Sequence, residues 1–314
     1  MRNIDIFSIK LVNGKSCIHG KFYRNGSNYG NKSFFPSHDS ISEEREILES
    51  FLYQFYANKD IPPKILINLN HESFQEVQKT LNLKSKIKTK ILKPKSGEKL
   101  QHILLAEKNA NESIKLKKAS LESHHLALKK LSTLLKLKTL PNRIEVYDNS
   151  HTFGNNPVGV MIVANKEGLV PKNYRKFNIR FDENINNISH INDFYMMEEV
   201  LHRRLKKINT SADLPTPEII IIDGGRGQFN AAKKIITKLN LKNIELISIS
   251  KGKYRNAGRE IIHLSSKNIN LKNNDPLLYF IQRLRDEAHR FAITSHRAKR
   301  SKNLTKSIFD ELPG

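Results

Sequence analysis

The chain has 314 residues, an apolar share of 38%, and 54 lysines and arginines against 31 aspartates and glutamates, for a formal net charge of +23. This length suits about two domains of ~100–200 residues each, and the apolar share is enough for ordinary cores, which excludes a wholly disordered chain. The positive charge favours a polyanionic partner, above all nucleic acid, although a composition rich in Lys, Asn and Ile lowers the weight of charge alone.

No apolar segment approaches the ~18–20 residues that cross a bilayer, and Asp5 stands where a signal peptide needs apolar residues. We therefore expect a cytoplasmic protein without a membrane partner. The single cysteine, Cys17, excludes an internal disulfide and a zinc site built from several thiolates. Any metal must then be held by oxygen or imidazole ligands.

Residues 1–97 predict strands and helices in the order β-β-β-α-β-α-β. Two Asn-Gly pairs divide a stretch of alternating apolar and polar residues, which predicts a three-stranded antiparallel meander. A helix with Ser42 as its N-cap follows, and then a strand, a second helix and another strand. This order is that of a ribonuclease-H-like half-barrel.

Residues 98–140 contain many lysines and no proline or glycine, and Pro141 follows, which predicts a linking helix or helical hairpin with a solvated basic face. The order of elements in the first part returns in residues 141–302, from the strand IEVYDNSH to a final helix that includes HRAKR. The sequence therefore predicts an α/β fold with two ribonuclease-H-like units, each a mixed sheet with flanking helices, joined by a long helix.

Two aspartates stand at strand ends in the second unit. Asp223 closes the buried strand IIIID, and Asp148 lies late in IEVYD, on the face shared by Ile144 and Val146. The first and fourth strands of this fold are parallel neighbours, so we expect the two carboxylates to face each other across one strand spacing. Two ionised carboxylates this close repel each other and destabilise the fold unless a cation lies nearby. A turn or N-cap role for Asp223 is the simpler alternative.

Other polar residues are candidates for the same site. Asp193 opens a helix and is either its N-cap or a metal ligand. His289 lies on the last helix, three residues after Asp286 and near arginines, which favours a metal ligand or an acid/base group; His151 competes for that role.

Five ordered motifs resemble the UvrC family, the incision subunits of the bacterial UvrABC excision nuclease. They are IEVYDNSHTFG, DFYMMEEVLHRRLKK, IIIIDGGRGQFNAA, SKGKYRNAGRE and RLRDEAHRFAITSHRAKRSK. Upstream, SCIHGKFYRNG, SFFP, FLYQFY and GEKLQHILLAEKNA extend the resemblance over nearly the whole chain. It implies a ribonuclease-H-like nuclease whose catalytic and metal-binding residues fall on Asp148, Asp193, Asp223 and His289.

The resemblance also implies a metal-dependent DNA endonuclease that acts 5′ to a lesion in nucleotide excision repair. Three carboxylates are suitable ligands for Mg²⁺ or Mn²⁺, and the sequence leaves open whether one ion or two are bound. Basic residues after the fifth strand and in the last helix are expected to hold DNA phosphates without reading bases: Lys251, Lys253, Arg255, Arg259, Arg297, Lys299 and Arg300.

The family further implies parts that these 314 residues do not contain: a GIY-YIG nuclease domain, a UvrB-binding hairpin, and a helix-hairpin-helix module that would begin within residues 303–314. We therefore expect a fragment, a split gene product or a decayed copy, with damaged double-stranded DNA and a UvrB complex formed by UvrA as partners. The alternatives are a catalytically idle DNA- or partner-binding fragment and a hybrid-specific ribonuclease.

The first unit contains no second cluster of acidic residues comparable to that of the second unit. Asp5 lies near the start of its strand, and the strand ILINLN ends in Asn70 where the second unit has Asp223. We expect a degenerate, non-catalytic copy that packs on the nuclease domain or on a partner.

Overall fold

The computed structural model describes residues 3–150, 158–179, 193–208, 215–250 and 260–310, with only the backbone for residue 150 and residues 295–310. The chain divides into two compact units, Met1–Ser120 and Leu121–Gly314. Each unit has a mixed sheet with flanking helices, which confirms the predicted α/β class. No helix within the described ranges is both long and apolar enough to span a membrane.

The first unit contains a five-stranded sheet in the order β3-β2-β1-β4-β5. The strands are β1 (Ile4–Val12), β2 (Lys15–Arg24), β3 (Ser27–Phe34), β4 (Lys64–Ile67) and β5 (Lys90–Leu92). Strand β1 pairs antiparallel with β2 and parallel with β4. The helices are α1 (Glu44–Phe55), α2 (Gln75–Lys84) and α3 (Gly97–Leu134).

The meander follows from its two turns. Asn13 and Gly14 have φ angles of 48° and 70°, and Asn25 and Gly26 have φ angles of 52° and 86°. Positive φ at both central residues is the requirement of the tight turn that matches strand twist, and Asn-Gly meets it with little strain. Both predicted hairpins are therefore present.

The start of α1 differs from the prediction that Ser42 is its N-cap. Glu43 is the N-cap, and a capping box joins the Glu43 and Glu46 side chains to each other's backbone N–H groups. The Ser42 N–H donates to the Asp39 carbonyl instead. The reciprocal pair satisfies two N–H groups of the first turn, whereas one serine hydroxyl satisfies one.

The basic helical tract is one continuous helix, α3, and not a hairpin. Its first part buries Ile103 and Ala106 in a cluster with the sheet of the first unit. Its last part buries Leu128 and Leu131 in the core of the second unit.

The second unit has an eight-stranded sheet in the order β13-β12-β11-β10-β6-β7-β8, with β9 paired to β7. The strands are β6 (Ile144–Ser150), β7 (Val158–Asn165), β8 (Gly168–Leu169), β9 (Arg175–Asn178), β10 (Ile219–Asp223), β11 (Glu245–Ser250), β12 (Ile261–His263) and β13 (Asn268–Asn270). The helices are α4 (Asp193–Leu205), α5 (Arg226–Lys238) and α6 (Pro276–Asp310).

The two faces of this sheet carry different helices. Ile144 and Val146 pack in a cluster with residues of α6, whereas Tyr147 packs with residues of α4 and α5. This alternation is the one predicted from IEVYD. It directs Asp148 to the same face as Ile144 and Val146, the face that α6 covers.

Candidate active site

Asp148 and Asp223 lie at the ends of two neighbouring parallel strands. The β6–β10 ladder pairs Ile144 with Ile219 and continues to Tyr147 and Ile222, so each aspartate is the next residue along its strand. Carboxyl ends of parallel strands meet at one sheet edge, where α/β proteins bind ligands. The expected juxtaposition of the two carboxylates is present.

The Asp148 side chain is only 11% exposed. Burial, and next the negative charge of Asp223, raise the pKa of the Asp148 carboxyl to about 6. His289 opposes this shift, because its Nδ1 lies 3.6 Å from Asp148 Oδ2. Like charges and desolvation therefore make this edge of the sheet electrostatically unfavourable for two ionised carboxylates.

Helix α6 brings two basic side chains to this edge. Arg285 Nε donates to Asp223 Oδ1 at 2.9 Å, and His289, four residues later, faces Asp148. The Arg285 Nη1 also lies 3.5 Å from Glu260 Oε1. The sequence analysis noted arginines near His289 but assigned no partner to Arg285, and it gave no role to Glu260, although Glu260 is the last residue of the quoted motif SKGKYRNAGRE.

Asp193 is the first residue of α4, and its backbone carbonyl accepts a hydrogen bond of 3.3 Å from Asn149 Nδ2. The next residue, Phe194, lies so close to Gly227 that a Cβ added there would meet the Phe194 ring at 2.4 Å. The start of α4 thus touches the residue after Asp148 and the first turn of α5, the helix that follows Asp223. A metal role for Asp193 stays a prediction.

The carboxylates suit a divalent ion in their chemistry. Carboxylate oxygens are the ligands that Mg²⁺ and Mn²⁺ prefer, and a cation between Asp148 and Asp223 would relieve their repulsion. Within the part of the chain that the structure describes, however, no group of three or more His, Cys, Asp or Glu side chains is gathered closely enough to hold a metal. Of the four predicted ligands, Asp148 and Asp223 lie at the same edge of the sheet and His289 lies beside Asp148, and their binding of a metal stays a prediction.

The first unit shows what occupies the corresponding positions there. In each unit the second residue of the central strand is a buried acid that accepts from a tyrosine hydroxyl: Asp5 from Tyr56, and Glu145 from Tyr147. Asp5 pairs with Ile65 in the parallel ladder, as Glu145 pairs with Ile220. Because the two ladders have the same register, each of these positions in one unit has an equivalent position in the other.

Three residues further along each strand, Ser8 takes the place of Asp148 and Asn68 that of Asp223. The Ser8 hydroxyl donates to the Ile103 carbonyl, and the Asn68 amide bonds both backbone groups of Ile9. The matching residue is therefore Asn68, two positions before the Asn70 assigned from sequence. Neither side chain is a carboxylate, which agrees with a degenerate copy.

The predicted DNA-binding residues fall in the segment between β11 and β12 and in the last part of α6. Lys251, Lys253, Arg255 and Arg259 lie outside the described residues, as does His151. The remaining three, Arg297, Lys299 and Arg300, are in the part of α6 for which the backbone alone is described.

Family models match both units. Residues 132–293 match the UvrC RNAse H endonuclease domain, and residues 3–117 match the UvrC Ribonuclease H-like domain. The chain belongs to the UvrC family. The five motifs named above lie within or at the end of the first of these matches, so the resemblance is confirmed.

Curated UvrC relatives align with nearly the whole chain. "UvrABC system protein C" of Bradyrhizobium diazoefficiens is 41% identical over 321 residues, which is 99% of this chain and 46% of that protein. The protein of the same name from Zymomonas mobilis is 41% identical over 319 residues, covering 100% of this chain and 47% of its own length. The chain therefore spans about half the length of these UvrC relatives.

Similar solved structures include Ciona intestinalis endonuclease V in complex with an inosine-containing 24mer DNA. It is 15% identical, covers 35% of this chain and 46% of its own, and has a TM-score of 0.26. A TM-score this low supports no functional comparison with this chain.

Proposed function

We propose that this chain is the metal-dependent nuclease portion of an excision-repair protein and hydrolyses a DNA phosphodiester 5′ to a lesion. The observation that carries the proposal is the buried Asp148 carboxyl next to Asp223, with His289 beside it. Family membership supports a place in the UvrABC system, with damaged DNA as substrate and a UvrB complex formed by UvrA as partner.

In this proposal Asp148, Asp193 and Asp223 hold Mg²⁺ or Mn²⁺. When bound, such an ion lowers the pKa of an attacking water and offsets charge on the phosphate in the transition state. Histidine 289 supplies the proton for the leaving oxygen. Its Nδ1 faces the Asp148 carboxyl, so its Nε2 is the atom that would donate.

The test is cleavage of a pre-nicked duplex and of a DNA bubble by the purified chain with Mn²⁺ or Mg²⁺, beside an RNA–DNA hybrid. Cleavage of DNA that is lost in Asp148→Asn and Asp223→Asn supports the proposal. Cleavage of the hybrid alone would instead identify a ribonuclease.

The second candidate is a catalytically idle DNA- or partner-binding fragment. The Arg285 guanidinium on Asp223 favours it, because a cation already neutralises one of the two central carboxylates. DNA binding without cleavage in either divalent ion, also after addition of UvrA and UvrB, would support this alternative and contradict the nuclease proposal.

A further inference from the structure

The Arg285 side chain is shared between two carboxylates. Its Nε lies 2.9 Å from Asp223 Oδ1, and its Nη1 lies 3.5 Å from Glu260 Oε1. The Arg285 side chain is 12% exposed and that of Glu260 is 6% exposed, so water screens the three charges poorly. Of the two carboxylates, Asp223 therefore has the shorter contact with Arg285.

Glu260 has capacity for a further hydrogen bond. Its Oε1 accepts from Gln282 Nε2 at 2.9 Å, whereas its Oε2 is buried and has no hydrogen-bond donor among the residues described. A buried carboxylate oxygen without a donor is unfavourable. Arginine carries five N–H donors in a fixed planar fork, so a closer approach of Arg285 would satisfy this atom.

A divalent ion at Asp223 would share that carboxylate with the Arg285 guanidinium, and the two cations repel each other. A displaced guanidinium that remained buried and unpaired would carry a large desolvation penalty. Glu260 removes that penalty, because it already touches Arg285 and has one oxygen open to it.

We propose that Glu260 is a positioning residue that takes over Arg285 when a divalent ion binds Asp223. Arg285 is then an exchangeable internal counter-ion: it neutralises Asp223 in the metal-free protein and moves to Glu260 in the metal-bound one. This inference rests on the proposed function, since it requires that Asp223 binds a divalent ion.

A purely structural role for Glu260 makes a different prediction. If Glu260 only fastened α6 through Gln282, a neutral amide would serve, because Glu260→Gln keeps an acceptor oxygen of the same shape. The transfer of Arg285 from Asp223 to Glu260, in contrast, needs the negative charge of the Glu260 carboxylate. Glu260→Gln therefore separates the two roles without altering the size of the side chain.

The experiment is a calorimetric titration of the full chain with Mn²⁺ alone, for the wild type, Glu260→Gln and Arg285→Gln. Replacing a residue that holds a metal ligand in position typically changes metal affinity by ~10–100-fold. Glu260→Gln should therefore weaken Mn²⁺ binding about tenfold or more. Arg285→Gln should bind Mn²⁺ more tightly than the wild type, because the competitor is gone. Its metal-free Tm should fall, since two poorly exposed carboxylates lose their cation.

Glu287→Gln is the matched control, because it removes one α6 carboxylate that pairs with Arg290 and Tyr174 and not with Arg285. Its Mn²⁺ affinity should equal that of the wild type. Equal affinities of Glu260→Gln and the wild type would overturn this inference and leave the proposed function standing. If Glu260→Gln does not fold, weaker or equal Mn²⁺ binding by Arg285→Gln overturns it. No Mn²⁺ binding by the wild type would overturn the proposed function and this inference together.

Discussion

Among the described carboxyl groups, Asp148 is the one whose pKa the fold raises. Its native pKa of about 6 lies above the unfolded value of about 3.9, so the folded chain retains this proton to higher pH than the unfolded chain. The group's contribution to the free energy of unfolding is therefore greatest below about pH 4. It falls as the pH rises from about 4 to about 6, and it stays low above that range.

Replacing Asp148 with Asn should stabilise the metal-free chain at pH 7 by at most about 3 kcal/mol, at ~1.4 kcal/mol per pKa unit, and should have little effect at pH 4. Thermal unfolding at both pH values measures this. Glu198→Gln, which removes the partner of the exposed Lys234, is the control and should change Tm little. Equal Tm values for Asp148→Asn and the wild type at pH 7 would contradict the pKa shift.

Asp223 behaves differently, because Arg285 has its closest acceptor there. The sequence alone predicted that neutralising either aspartate leaves the metal-free Tm unchanged or raises it, since each removes a repelled charge. With the ion pair in place, Asp223→Asn should lower the metal-free stability by about 1–3 kcal/mol, the usual cost of a lost partner for a buried polar group. Both variants should lose Mn²⁺ binding and cleavage. A rise in Tm for Asp223→Asn would show that the Arg285 contact contributes nothing.

At the scale of elements, a glycine allows α4 to approach the sheet. Gly159 on β7 lies opposite Asn149, the residue after Asp148. A Cβ at this position would meet Val200 Cγ2 on α4 at 2.4 Å and Asn149 Oδ1 at 3.2 Å. Val200 is fully buried, so it has no free space to enter. The close packing also holds the Asn149 amide on the Asp193 carbonyl at the start of α4.

Gly159→Ala should therefore destabilise the chain by about 1–3 kcal/mol, as overpacking of a dense core does, and reduce cleavage by displacing the start of α4. Gly225→Ala is the matched control. Gly225 has a φ of −83°, and nothing lies within 4 Å of an added Cβ, so only the poorer N-cap propensity of alanine should lower its Tm, by less than Gly159→Ala does. Denaturant unfolding of the two variants provides the comparison, and equal stabilities would contradict the packing argument.

At the scale of the whole molecule, two units that share the order of five strands differ at the positions proposed for catalysis. The second unit has carboxylates at the ends of β6 and β10, whereas the first has Ser8 and Asn68, both engaged by backbone groups. The net charge of +23 belongs to the chain as a whole. Binding to DNA is thus expected to depend on phosphate contacts spread over a basic molecule rather than on base recognition.

Affinity for duplex DNA should then be modest, nearly independent of sequence and strongly reduced by salt, with log K falling by about 0.9 per phosphate neutralised. Replacing Lys251, Lys253 and Arg255 with Ala should flatten this salt dependence by up to ~3 in slope and weaken all duplexes alike. Fluorescence anisotropy at several salt concentrations measures the slope. The matched control removes three exposed lysines of the first unit, Lys84, Lys86 and Lys88. An equal loss in both triple variants would mean that only net charge matters.

The sequence by itself determined the local elements and much of the topology. Asn-Gly pairs specify tight hairpins, two-residue alternation assigns Ile144 and Asp148 to one face, and the apolar run before Asp223 marks a central strand, because each signal lies within a few neighbouring residues. The order of these elements was enough to predict two similar units and the parallel pairing that brings Asp148 beside Asp223.

Only the tertiary structure decided which distant side chains meet at that edge. Glu260 and Arg285 are separated by 25 positions, and their contact depends on how α6 packs across the sheet. The same holds for Gly227 against Phe194, and for Asn68 in place of Asn70, which required the strand register. Local patterns specify which face of an element is apolar, but the rotation and depth of one element on another follow from the packing of all their side chains together.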